Sequence, residues 1–231
     1  MTTLYPDLRG PAAIDAGVYV PQHDSELLIE AMRRVTSVSG RCVLDLCTGS
    51  GVAAIAAAQL GARRVTAFDI CPRAVSCART NASEAGVEVD ARLGTWRAAL
   101  AAGPYDLVVS NPPYVPTGPD AHLESIPDGI GPPVAWNAGA DGRLVLDPLC
   151  DSASELLTEG GTLLVVQSEF ADSGQSLRRL RRSGLRAEIV MTQLIPFGPV
   201  LTARATWMER SGKLPVGRRE EELVVIRAEK P

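Results

Sequence analysis

Among its 231 residues the chain has only two histidines, His23 and His122, and five cysteines, Cys42, Cys47, Cys71, Cys77 and Cys150, none of them in a C-x-x-C pair. A zinc centre needs clustered nitrogen and sulfur ligands, so no metal site is expected. Reduced, mostly buried thiols in a cytoplasmic protein are the simplest account of an odd cysteine set. No apolar run approaches the roughly 18 residues that cross a bilayer. The start, Met1-Thr2-Thr3-Leu4-Tyr5-Pro6-Asp7, lacks a basic region and an apolar core, so it does not read as a signal peptide. Basic charge is not in excess. The net charge of −4 speaks against a generic nucleic-acid binder, which is usually basic. Internal repeats and low-complexity tracts are absent as well.

What is present is an ordinary globular composition, 45% hydrophobic and 22% charged. The length fits one domain over residues 1–231 and is short for two. Apolar runs at 41–46, 64–69, 87–93, 106–110, 162–167, 186–191 and 222–228 read as seven strands. Helical patterns cover about 24–37, 52–60, 72–85, 143–157 and 174–182, with Pro72 in a first turn and Gly61 and Gly86 at ends. Residues 1–24 form an irregular segment placed to cover the domain. Residues 115–142 are rich in Pro and Gly, and 193–220 read as irregular. Such alternation predicts an α/β fold with a mostly parallel sheet and helices on both faces. The last two strands lack a clear intervening helix, which suggests an antiparallel strand at one edge.

Two stretches carry chemistry. Asp45-Leu46-Cys47-Thr48-Gly49-Ser50-Gly51 joins the first strand to the next helix. Its glycines let backbone approach a ligand, and the helix start offers unpaired N–H groups. With Ala54, the loop formally fits the G-x-G-x-x-G/A dinucleotide fingerprint, and Asp69 ends the second strand where it can accept from a ribose diol. A carboxylate at Asp45 opposes a pyrophosphate and suits a positively charged ligand. The second stretch is Ser110-Asn111-Pro112-Pro113-Tyr114, at the end of the fourth strand. Proline cannot continue the ladder, so the chain leaves the sheet there with the Asn111 carboxamide fixed. An amide or exocyclic amine nitrogen is a weak nucleophile. The Asn111 oxygen and the Pro112 carbonyl can accept its two hydrogens and point its lone pair.

The strand, glycine loop, Asp69 and N-P-P-Y together resemble a Rossmann-like class I S-adenosylmethionine-dependent methyltransferase. Over residues 17–230 the chain more narrowly resembles the HemK-type protein glutamine methyltransferases. Those enzymes methylate the glutamine of the Gly-Gly-Gln loop in peptide chain release factors. Val18-Tyr19-Val20-Pro21-Gln22-His23-Asp24-Ser25 and Ala135-Trp136-Asn137-Ala138-Gly139-Ala140-Asp141-Gly142-Arg143 carry that narrower likeness. The N-terminal helical domain of the bacterial enzymes has no counterpart, so the short branch is the nearer match.

The resemblance implies site residues. Asn111, Pro112 and Tyr114 would be catalytic. Ser25, Asp45, Thr48, Gly49, Gly51, Asp69, Ile70, Thr95, Trp96 and Asn111 would hold S-adenosyl-L-methionine. Asn111, Pro113, Tyr114, Trp136 and Arg143 would face the acceptor, with Tyr114 stacking on its planar group. The family usually has Asp where this chain has Thr95, and a hydroxyl accepts from an adenine amino group more weakly than a carboxylate. The resemblance further implies a release factor as substrate and a small zinc-binding activator subunit as partner, without membrane or nucleic-acid binding. Two other readings stay open: an N-methyltransferase for a nucleic-acid base or small metabolite, and a non-catalytic cofactor-binding protein.

Overall fold

The computed structural model describes residues 17–121, 124–127 and 129–231. The first part of the expected cover segment, residues 1–16, lies outside them. In chain order the elements are α1 (His23–Val35), β1 (Cys42–Leu46), α2 (Val52–Gln59), β2 (Arg64–Asp69), α3 (Pro72–Glu84), β3 (Asp90–Leu93), α4 (Trp96–Ala102), β4 (Tyr105–Ser110), α5 (Leu146–Leu156), β5 (Leu157–Ser168), α6 (Ser173–Arg182), β6 (Arg186–Pro196), α7 (Pro199–Arg210) and β7 (Glu220–Glu229).

The seven strands form one sheet in the order β3-β2-β1-β4-β5-β7-β6. Strands β1 to β5 run parallel, and β7 runs antiparallel to both of its neighbours. The antiparallel strand expected at one edge is therefore β7, seated between β5 and the outermost β6. Central strands have apolar side chains on both faces because helices cover both. Val43, Leu44, Leu107, Val108, Val109, Leu163 and Leu164 are buried accordingly. Helices α1, α2 and α3 pack side by side, and α4, α5 and α6 do so in turn.

This strand order reverses direction between β1 and β4, and a crevice opens at the carboxyl ends of such strands. Register sets Asp45 of β1 against Val109 of β4 and Leu46 against Ser110. Asp69 closes β2 on the other side of β1. Sheet pairing thus brings residues far apart in sequence to one edge: Asp45, Asp69 and Asn111.

Two expectations are corrected. The segment 193–220 is not irregular. Strand β6 runs on to Pro196, and α7 follows with Pro199 in its first turn and Ser211 as its C-cap. Helix α4, between β3 and β4, is also additional; it is short and starts at Trp96.

The Pro/Gly-rich segment after Tyr114 is pinned rather than free. Val115 N–H donates to Trp136 O at 3.0 Å, Ala138 N–H to Val115 O at 3.1 Å and Thr117 N–H to Gly139 O at 2.8 Å. Gly142 passes so close to the Tyr114 carbonyl that an added Cβ would sit 2.4 Å from it, at a φ of +77°. From the far side, α7 contributes Arg204, which is 1% exposed. Its guanidinium holds the Glu124 carboxylate at 2.9 Å, donates to the Pro116 carbonyl at 2.9 Å and bonds the Asn137 side-chain oxygen. A buried guanidinium persists only when its donors are all met. Here they are met by three separate points of the segment. Removing Arg204 leaves a largely buried Glu124 carboxylate unpaired, at a cost of about 3 kcal/mol or more. Arg204→Ala is expected to lower the urea midpoint markedly at unchanged slope, whereas Arg178→Ala, on an exposed face of α6, moves it little.

Candidate active site

A cavity of about 250 Å³ opens at the carboxyl edge of β2, β1 and β4. It is walled by the glycine loop, by Asp69 and Ile70, by Thr95 and Trp96, by Asn111 and Pro113, and by Tyr19 and Ser25 from the N-terminal side. Of the ten residues expected to hold the cofactor, only Gly51 is not in that wall. It lies one residue behind it, where α2 meets α3. A Cβ on Gly51 would come within 2.9 Å of the Ala78 Cβ, at a φ of +84°. Gly51 therefore serves packing and the turn, while the space beside Gly49 is open.

Asp45 is buried at the floor of this cavity. Its Oδ2 accepts from the Thr48 hydroxyl at 2.7 Å and the Ala54 N–H at 3.1 Å. Burial pushes its carboxyl up to about 7, the two hydrogen bonds oppose that rise, and Asp69 adds repulsion. Asp69 is raised too, chiefly by burial, against hydrogen bonds from the backbone. Its Oδ2 accepts from Gly49 N–H at 2.9 Å and its Oδ1 from Cys71 N–H at 2.8 Å. Asp69 thus ties the glycine loop to the end of β2. Between these acids Cys47 adopts a left-handed φ of +60° without being glycine, a strain that clusters at binding sites. Two neighbouring acids under a desolvation penalty give the cavity a negative character that a cation relieves.

Thr95 is the N-cap of α4: its hydroxyl accepts from Arg97 N–H at 3.3 Å. It still lines the cavity. The hydroxyl that stands where the family has a carboxylate is therefore partly committed to its own helix.

The Asn111 clamp is oriented by the start of α1. Asp24 is buried, and its Oδ1 accepts from Ser25 N–H at 2.7 Å and from the Ser25 hydroxyl at 3.3 Å. A carboxylate only accepts, so the Ser25 hydroxyl points its hydrogen at Asp24. Its lone pair then faces Asn111, whose Nδ2 donates to it at 3.3 Å. The Asn111 side-chain oxygen is consequently the end left for a ligand. Neither Asp24 nor Ser25 is the helix cap; that position belongs to Gln22.

Three residues expected to face the acceptor lie outside the wall of this cavity. Tyr114 is buried, donates its phenol hydrogen to Asp24 Oδ2 at 3.1 Å, and lines a second cavity rather than the first. Trp136 is also buried and faces that second cavity. Arg143 lines neither cavity. It is 3% exposed and spends its donors on Asp147, on the carbonyls of Ala171 and Asp172, and on the Ser176 hydroxyl. It fastens the start of α5 to the turn before α6. Sequence reasoning missed the role of Asp24 in holding Tyr114 and that of Arg204. The second carried a visible signal, since Pro199 followed by Val200, Leu201, Ala205 and Met208 is a helical pattern with a proline start.

The fold and this site define a class I methyltransferase. Comparison with known proteins narrows the class. Residues 23–112 match the family model described as ribosomal protein L11 methyltransferase. The release factor glutamine methyltransferase of Deinococcus radiodurans is 36% identical over 76% of this chain and 63% of its own length. A Methanocaldococcus jannaschii protein provisionally named an N5-glutamine methyltransferase is 29% identical, over 81% of this chain and 91% of its own. The E. cuniculi Mtq2-Trm112 complex, described as responsible for methylating the termination factor eRF1, contains a chain that superposes with a TM-score of 0.63. It is 23% identical, and the match covers 93% of this chain and 99% of that one. The chain is thus similar to the release factor glutamine methyltransferases over most of its own length, and it spans less than two thirds of the length of the Deinococcus enzyme.

The raised acid at Asp45 has a consequence for the ligand-free protein. In the unfolded chain this carboxyl ionises near its ordinary value of 3.8, in the folded chain near 7. The folded state thus binds more protons between those values, and stability falls as pH rises through that window. Asp45→Asn is expected to flatten this part of a stability–pH profile measured by urea denaturation, and to raise the midpoint at pH 8 but not at pH 4.

Proposed function

We propose that the chain transfers the methyl group of S-adenosyl-L-methionine to the side-chain amide nitrogen of a glutamine, the one in the Gly-Gly-Gln loop of a peptide chain release factor. The observation that carries this reading is the oriented Asn111, its amino end fixed on Ser25 and its oxygen left as an acceptor at the cavity wall. That oxygen accepts one hydrogen of a planar NH2 group, and the Pro112 carbonyl the other. Fixed acceptors of this kind turn the nitrogen lone pair toward its target and stabilise the positive charge that grows there.

The cavity residues fit the cofactor in kind. Asp45 supplies a buried carboxylate for a cationic methionine end, the open space at Gly49 admits it to the backbone, and Asp69 accepts from a diol. Trp96 and Ile70 offer apolar cover for a flat ring. When bound, S-adenosyl-L-methionine supplies the electrophilic methyl group. The residues of the chain bind, orient and exclude water during the transfer. The methylated nitrogen is positively charged and far more acidic than the neutral amide, so its extra proton is lost to solvent as the product leaves, and no side chain needs to act as a strong base. The segment 17–24 closes over this site as part of a single domain. Kinship with the release factor enzymes supports the acceptor, and the solved Mtq2-Trm112 complex supports a small partner subunit for this chain as well.

The direct test is mass spectrometry of a release factor incubated with the protein and the methyl donor. A gain of one methyl on the Gly-Gly-Gln glutamine is expected; transfer to a nucleoside or metabolite instead overturns the acceptor assignment. Asn111→Ala is expected to lower kcat by about 100-fold or more, with a much smaller loss of cofactor affinity. Binding of the cationic ligand pulls Asp45 toward its ionised form. Below pH 7 calorimetry should therefore register proton release on cofactor binding and an affinity that climbs with pH, and Asp45→Asn should abolish both.

A further inference from the structure

A second cavity, of about 180 Å³, lies beyond the clamp and is lined by Tyr19, Asp24, Tyr114, Trp136, Phe197 and Glu221, among others. The mechanism above does not use it. Glu221, the second residue of β7, is only 5% exposed, yet its Oε2 has no hydrogen-bond partner among the described residues. The indole Nε1 of Trp136, equally buried, has none either. Asp24 presents a second carboxylate, already holding the phenols of Tyr19 and Tyr114 at 3.4 and 3.1 Å.

No lysine or arginine among the described residues lines this cavity. The nearest guanidinium with influence on Glu221, that of Arg218, is engaged with Glu169. His23, at the rim, pairs with Glu26 at 3.3 Å. Two buried carboxylates, one with an orphan oxygen, therefore face a space that no lysine or arginine of the described residues lines. Burial and the repulsion of Asp24 push the Glu221 carboxyl up to about 7, against a hydrogen bond from Ser168. Buried carboxylates are ordinarily paired, and aromatic faces attract cations. The other walls, Ile195, Val200, Leu201 and Leu223, are apolar. Such walls suit an alkyl stem and cannot complete the six or more oxygen ligands of a hard metal ion.

The position of the cavity says where that cation comes from. Tyr19 lines both cavities, and Asn111 and Pro113 on one side are joined through the backbone to Tyr114 on the other. A polypeptide with its acceptor nitrogen at Asn111 has the second cavity as its neighbour across Tyr19. We infer that the second cavity takes the guanidinium or ammonium of an arginine or lysine side chain of the acceptor polypeptide, which would set acceptor choice. This rests on the reading of a polypeptide acceptor given above.

The test separates the two. The chain has three tryptophans, so the indole N–H of Trp136 can be followed by NMR and assigned with Trp136→Phe. Titration of the full chain with butylguanidinium should shift that signal saturably at millimolar concentration, and butylurea, the neutral counterpart, should not. Glu221→Gln should weaken the effect on the order of 30-fold. Equal response to butylurea, or none to butylguanidinium, overturns the cavity assignment whether or not a release factor is methylated. With a methylated release factor, Glu221→Gln should raise the KM for that protein about tenfold, at unchanged kcat and cofactor affinity. Binding of butylguanidinium with an unmoved KM would overturn the link to the acceptor.

Discussion

A single buried carboxylate, that of Asp24, takes hydrogens from four donors: the Ser25 N–H and hydroxyl on one oxygen and the phenols of Tyr19 and Tyr114 on the other. Through these bonds it joins the first turn of α1, the segment before that turn and the chain leaving β4. Charge-assisted bonds to a desolvated acceptor are the strong ones. The hydroxyl it orients is the group that selects the rotamer end of Asn111. The orientation of Asn111 is therefore not a property of the four residues 111–114 alone; it is imposed from a helix nearly ninety positions earlier in the chain.

Around this point the remaining acids divide by strand. Asp45 and Asp69 face the larger cavity from β1 and β2, and Glu221 faces the smaller one from β7. Each is held in a partly or fully desolvated setting that raises it. Unfavourable burial of this kind is a common mark of sites awaiting a ligand. Arg143 and Arg204 show the opposite arrangement. Their guanidinium groups are buried with partners supplied by carboxylates and carbonyls, and they fix turns instead of facing a cavity.

The sheet and the wall of the larger cavity were legible in the sequence because they rest on local signals: strand-length apolar runs, glycines at the β1–α2 turn and acids at strand ends. Roles that depend on distant pairing were not. Arg143 stands next to the 135–142 loop in sequence, yet apart from Asp147 its side-chain partners come from residues 171–176 across the fold. Trp136 and Tyr114 sit beside functional residues along the chain, but their rings are carried into the second cavity by the short ladder between 115–117 and 136–139. Thr95 looked like a ligand contact and is also a helix cap, because α4 itself went unseen. Helix α7 was hidden by the prolines and glycines that flank it, although its own interior is a regular helical pattern.

The side chain of Tyr19 is a wall common to both cavities, and its backbone lies against Gly131, where an added Cβ would come within 2.8 Å. The Tyr19 hydroxyl is held by Asp24, the same carboxylate that orients the Ser25 hydroxyl and through it the Asn111 side chain. One buried acid therefore fixes both the partition between the two cavities and the rotamer at the mouth of the larger one.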